Sequence, residues 1–324
     1  MSTDGSSVDP RREARERTGD RFDVRVLEPS PPASTAPPLF ADDPVQDSDG
    51  SERPVLAPVP VVGAATTWDD LAHDEPDLAP WCADRWLGAW RPLVLPPDRD
   101  ALVATRTSWH TLAEHVVAPA RYRANGKIGL RFTRGGFGTP FFGADEQVRV
   151  GVDGLTHVVA GAATLHPLTT VRAAADALGI QTGAPTDVYT PTTPLEPDAP
   201  LLVVGAAARF LADWFGFAAS VLEALRADAG NLSPARVQLW PEHFDLSFDF
   251  GDEAAGRRAT YGASPGDAEH PEPYVYVSPW TPHSETFWNE GSFAALGLAA
   301  FADHADQRGA ALDFFARARA ELSG

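Results

Sequence analysis

A chain of 324 residues, 44% of them apolar and nine of them Trp, is long enough to bury one large core or two ordinary ones. Its net charge of −19 repels nucleic acid and anionic lipid, so DNA, RNA and membrane surfaces are not expected partners. The single cysteine, Cys82, excludes an intramolecular disulfide and a cysteine-based zinc site, and its setting in "PWCADRWLGAW" reads as an inert buried thiol.

The opening "MSTDGSSVDPRREARERTGD" has no apolar segment behind its charges, and no run of about 18 apolar residues follows anywhere. A cytoplasmic location is the resulting expectation. Lys127 is the only lysine among 26 basic residues, and Ala, Pro and Asp are abundant, a composition typical of a high-GC bacterial genome. Residues 1–62 are rich in Pro, Ser and Asp without a hydrophobic period and read as a disordered leader. Residues 63–324 read as one compact domain, with the Pro/Thr-rich connector 182–200 as the place where it would subdivide.

Helical spacing of Leu102, Thr105, Trp109, Leu112 and Val116 predicts a helix over 98–118 that Pro119 ends. Three alternating segments broken by glycines follow, "KIGLRFTRGG", "QVRVGVDG" and "LTHVVAG", and predict strands, with Asp153-Gly154 as a hairpin turn. "HPLTTVRAAADALGI" predicts a short helix capped by Thr169 or Thr170 and ending near Gly179. The strongest periodicity, Ala207, Leu211, Trp214, Ala218, Val221, Leu225, predicts a long and mostly buried helix over 201–228. Three extended pieces then form a meander, "VQLWPEHFDLSFDFG", "RRATYGAS" and "PYVYVSPW", and a last helix is expected over 305–322. The fold class is therefore α+β: antiparallel sheet packed by helices, with the succession helix, strands, helix occurring in both halves.

Chemistry concentrates in "LWPEHFDLSFDFG". On an extended chain, Phe244, Leu246, Phe248 and Phe250 would share one face, and His243, Asp245, Ser247 and Asp249 the other. The polar face is either a ligand site or the wet side of a half-exposed sheet. Tyr274, Tyr276 and Ser278 share a face of a neighbouring strand, and the loop "DAEHPEP", with Asp267, Glu269, His270 and Glu272, is positioned to close over it. His110 and Glu114 stand four apart on a helix, but H-E-x-x-H is absent, and no metal centre is expected. "TRGGFGTPFFG" lacks both G-x-G-x-x-G and G-K-[ST]; it predicts a strained strand–turn–strand, with Arg134 as a candidate anion contact.

The order of "LWPEHFDLSF", "YGASPGD" and "PEPYVYVSPW" resembles a family of mostly actinobacterial proteins, a domain of unknown function. Its members carry a Trp before His-Phe-Asp, then Pro-Glu-Pro and an aromatic strand. An earlier glycine turn resembles "GFGTPFFGADEQVRV". The likeness spans about residues 105–322. It implies no activity and directs attention to Trp240, His243, Asp245 and Glu272.

Three functions fit these features. The first is binding of a small molecule on the His/Asp-bearing face, with Trp240, His243, Asp245, Asp249, Glu272, Tyr274, Tyr276 and Arg134 as candidate contacts. The second is a hydrolase- or isomerase-like reaction with His243 as general base oriented by Asp245 and assisted by Glu272 or a tyrosine. The third is a protein–protein interaction module without catalysis. No residue pattern names a cofactor.

Overall fold

The computed structural model describes residues 93–323, apart from 97, 134, 141, 143–145, 160–161, 229–231, 233, 236 and 284–285. Upstream, only the backbones of three short strands are described, Val24–Glu28, Val55–Ala57 and Ala65–Thr67, paired in parallel. The leader expected over 1–62 thus falls mostly outside the described residues, and so do Cys82 and Arg134. No helix among the described residues is long and apolar enough to cross a membrane.

The fold is α+β, as predicted: two five-strand antiparallel sheets with helices packed against them. The first half begins with α1 (Arg99–Leu112), a π-helical turn (Ala113–Val117) and α2 (Ala118–Asn125). It continues through β1 (Arg131–Thr133), β2 (Gly136–Gly138), β3 (Glu146–Gly151), β4 (Gly154–Val159) and β5 (Ala162–His166), and closes with α3 (Val171–Ala177). The second half repeats that succession. It runs α4 (Gly205–Ala227), β6 (Gln238–Trp240), β7 (Asp245–Phe250), β8 (Ala259–Ser264), β9 (Tyr274–Pro279), β10 (Ala294–Gly297) and α5 (Gln307–Glu321). In both sheets spatial order equals chain order.

Corresponding elements of the two halves meet each other. Leu130, just before β1, and Leu239 in β6 exchange backbone hydrogen bonds of 2.7 and 2.8 Å across an antiparallel bridge. Helix α1 packs on α4, and α4 also lies against strands of both sheets. Its predicted face is fully inside: Ala207, Leu211, Trp214, Ala218, Val221 and Leu225 are all buried. Burying a large apolar side chain of this kind stabilises the fold by about 1.5–3 kcal/mol.

Local signals explain most element ends. Asp98 caps α1 by accepting from the Ala101 N–H, Thr170 caps α3 through Ala173, and Asp306 caps α5 through Gly309. The β3–β4 hairpin turns at Val152 and Asp153, with Gly154 at φ +144°. The glycine-rich stretch becomes β2. A Cβ on Gly136 or Gly138 would run into the backbone carbonyl of Val150 or Val148 on β3, so the strand approaches its neighbour only as glycine.

One predicted end is wrong. The first helix does not stop at Pro119 but runs on to Asn125. The π turn is the reason: Ala118 donates to Ala113, one residue further back than in an α-helix, and this widened turn makes room for the proline ring. The helix carbonyls left without helical donors are served by the connector. Gly183 donates its N–H to the His115 carbonyl at 3.1 Å, and the Tyr189 hydroxyl donates to the Glu114 carbonyl at 3.2 Å.

Candidate functional site

The period-2 pattern of the second sheet separates two faces. Leu246, Phe248 and Phe250 of β7, Tyr261 of β8, and Val275 and Val277 of β9 are buried in the core. On the opposite face Asp245, Ser247 and Asp249 stand beside Thr260 and Ser264, then Tyr274, Tyr276 and Ser278. This face is the floor of a cavity of about 900 Å³. Its walls are Val103, Arg106 and His110 of α1, Thr192–Pro194 of the connector, the turn after β6, and the loop 266–268.

Asp245 opens β7 at one end of the floor and is 4% exposed. Its Oδ2 accepts a hydrogen bond from the Tyr276 hydroxyl, while its buried Oδ1 meets no donor. Burial pushes this carboxyl up to about 6, against the opposing pull of the Tyr276 hydrogen bond and of nearby His243. Tyr276 reaches it from two strands away. Ser247, Gly262 and Tyr276 stand in register across β7, β8 and β9. The ring lies flat over Gly262, where any Cβ would fall inside the ring's van der Waals envelope. A glycine at this position is thus what permits the Tyr–Asp contact. Further along, Thr260 donates to Asp249 Oδ1 at 2.6 Å.

The stretch from Leu239 to Gly251 is not a continuous strand. Residues 241–244 form a turn in which Phe244 donates its N–H to the Trp240 carbonyl at 2.7 Å and adopts φ +54°, the only positive φ at a described non-glycine residue. Packing holds this uncommon backbone. The Phe244 ring is stacked on His110 at 5.1 Å and meets Phe137 and Phe215 edge-on at 5.1 and 5.3 Å. The turn corrects the expected alternation: Phe244 still points inward, but His243 leaves the strand and stands exposed at the cavity rim. No hydrogen bond joins His243 to Asp245 among the described residues, although His243 is near enough to favour the Asp245 charge.

The wall opposite the floor is cross-braced. His110 Nε2 donates to the Pro241 carbonyl at 2.8 Å, which fixes the tautomer if the ring is neutral. Burial pushes His110 down to about 4 despite the nearby Glu114 carboxylate, so it is neutral at pH 7. Glu114, fully buried in the π turn, grips the connector by accepting the N–H groups of Thr192 and Thr193 at 2.8 and 2.7 Å and the Thr193 hydroxyl. The Thr192 hydroxyl donates to the Glu242 carbonyl at 3.2 Å, tying the connector to the turn.

The loop between β8 and β9 is anchored by a buried arginine. Arg106 donates to the carbonyls of Pro271 at 2.8 Å, Asp267 at 2.9 Å and Pro265 at 3.4 Å. Gly266, at φ +99°, leaves room for that guanidinium. Asp267 is saturated: Oδ1 accepts the N–H groups of Glu269 and His270, both at 2.7 Å, and Oδ2 accepts the Tyr274 hydroxyl at 2.6 Å. Burial, and then this hydrogen bond to Asp267, raises the Tyr274 phenol above its ordinary range.

Of the predicted site residues, Trp240, His243, Asp245, Asp249, Tyr274 and Tyr276 line the one cavity. Glu272 is not among its lining residues and pairs with Arg99 at 2.9 Å. Arg134 lies outside the described residues. Arg106, Glu242, Thr192 and Thr193 join the cavity without having been predicted. His110 also lines it, although its i, i+4 spacing to Glu114 had suggested only a metal. Among the described residues no group of three or more His, Cys, Asp or Glu is arranged to hold a metal ion. Comparison with protein-family models, with curated proteins and with solved structures finds no match, so function has to be read from the chemistry of the cavity.

Proposed function

We propose that this protein binds a small organic molecule in the cavity over the polar face of the second sheet. The observation that carries the reading is Asp245, a buried carboxyl with one oxygen left without a donor on the floor of an open cavity. Leaving such an acceptor unpaired costs about 1–3 kcal/mol. A fold that needed this face only as a solvated sheet surface would have no reason to wall it in. Conflicts of this kind between polar satisfaction and burial are expected where a ligand completes the hydrogen bonding. The cavity also combines aromatic and aliphatic side chains, such as Val103, Trp240 and Phe293, with polar side chains converging from several elements, and its size suits a metabolite.

Native mass spectrometry of the full chain, purified without a metal-affinity tag, tests this directly beside Asp245→Ala and Tyr276→Phe. The expected result is a small molecule retained by the wild type and lost or depleted in the variants. A wild type that is folded, carries nothing and gains no thermal stability from any member of a metabolite library would overturn the proposal.

A further inference from the structure

We infer that the ligand is a small organic cation, an ammonium or guanidinium compound, seated against Asp245 and Glu242. The inference rests on the small-molecule reading of the same cavity and names its ligand class. Two buried carboxylate oxygens at the cavity have no hydrogen-bond donor, Asp245 Oδ1 and Glu242 Oε2. They belong to side chains close enough that Glu242 disfavours ionisation of Asp245. Both oxygens need N–H or O–H donors, and the two charges need a positive partner.

Among the described residues, none of the three basic groups that line the cavity donates a hydrogen bond to either oxygen. The Arg106 guanidinium is committed to three carbonyls of the loop 265–271. His110 is neutral at pH 7 and its Nε2 proton is given to Pro241. His243 is near enough to favour the Asp245 charge, but it stands exposed at the rim and makes no hydrogen bond to either oxygen among the described residues. Asp249 adds a third carboxylate, its Oδ1 accepting from Thr260. An anionic ligand would meet these carboxylates at close range. A neutral polyol would satisfy the acceptors but leave their mutual repulsion in place. A cation answers both needs, and the rings of Trp240, Tyr276 and Phe293 at the cavity offer it aromatic faces. The net charge of −19 favours the approach of a cation over longer distances.

Isothermal titration of the full chain with putrescine, agmatine and choline, beside myo-inositol, succinate, CaCl₂ and MgCl₂, tests the assignment. At least one of the three organic cations is expected to bind, with no uptake of inositol or succinate. Asp245→Asn, which keeps an oxygen for Tyr276, is expected to weaken binding roughly tenfold or more. Glu242→Gln serves as a second variant should Asp245→Asn not fold, with circular dichroism as the check. Binding of inositol or succinate without the cations would overturn the cationic class while leaving a small-molecule site. Binding of Ca²⁺ or Mg²⁺ alone would overturn it in favour of a metal. Cation binding that both variants leave unchanged would place the cation elsewhere. No binding by any probe, with nothing carried through purification, would overturn this inference and the small-molecule reading together.

Discussion

Replacing Asp245 by Asn should make the empty protein more stable at neutral pH. In the folded chain the carboxyl titrates at about 6, against an ordinary value of 3.8. The fold therefore holds more protons than the unfolded chain between these two values, and stability falls as pH rises through that window. Above it the full penalty stands, about 3 kcal/mol at pH 7 from a difference of about two pH units. Asparagine removes the ionisable group yet still offers an oxygen to the Tyr276 hydroxyl. Thermal denaturation should then show Asp245→Asn melting roughly 5–10 °C above the wild type at pH 7.5. The advantage should shrink to about half at pH 5, where most of the wild-type carboxyl is protonated in the folded state. A variant that melts below the wild type at pH 7.5, or one whose advantage does not change with pH, would refute the reasoning.

Tyr276→Phe removes the side-chain donor to Asp245 and should destabilise the protein by about 2 kcal/mol at pH 7. Because that hydrogen bond favours the ionised carboxylate, urea titrations should show the loss shrinking below about pH 6. Gly262→Ala should push the Tyr276 ring off Asp245 at a cost of about 1–3 kcal/mol, and an unchanged urea midpoint would show that the ring is not held there. Glu114→Ala should cost at least about 3 kcal/mol, since two connector amides lose their acceptor. Limited proteolysis should then cut within 182–200 before the rest of the chain yields; a connector as resistant as in the wild type would contradict its anchoring by Glu114.

The parts of the fold with a strict period were legible in advance. The face of α4 and the inward residues Leu246, Phe248 and Phe250 are where their spacing puts them. Capping residues also spoke clearly, as at Thr170. The helix through Pro119 was not legible, because its continuation depends on donors from Gly183 and Tyr189, some 65–75 residues away. The turn at 241–244 was hidden as well: a phenylalanine at positive φ is tolerated only because His110, Phe137 and Phe215 surround it. β10 carries too little alternation, as "AALG", to stand out from its loop. At the site, the polar face of β7 and β9 could be seen in the alternation of residues. Its walls could not, because Arg106, His110 and Thr192 reach the cavity through tertiary contacts that no local pattern encodes. Register was the other missing quantity, and it is what places Gly262 between Ser247 and Tyr276.

Sheets in which every strand pairs with its neighbour in the chain have consequences for how this protein assembles. Such meanders close short loops, so pairing of neighbouring strands costs little loop entropy compared with the contacts that join the two halves. The long-range steps include α4 packing against both sheets, α1 docking on α4, the Leu130–Leu239 bridge, and the bracing of α1 against Pro241 and the connector. The cavity needs the last of these, since its floor and part of its walls come from the second half and the remaining walls from α1 and the connector. Binding competence should therefore be the last property to appear during refolding, after both sheets have formed. A ligand that seals floor to wall would act chiefly on unfolding, lengthening the lifetime of the native state more than it hastens its formation.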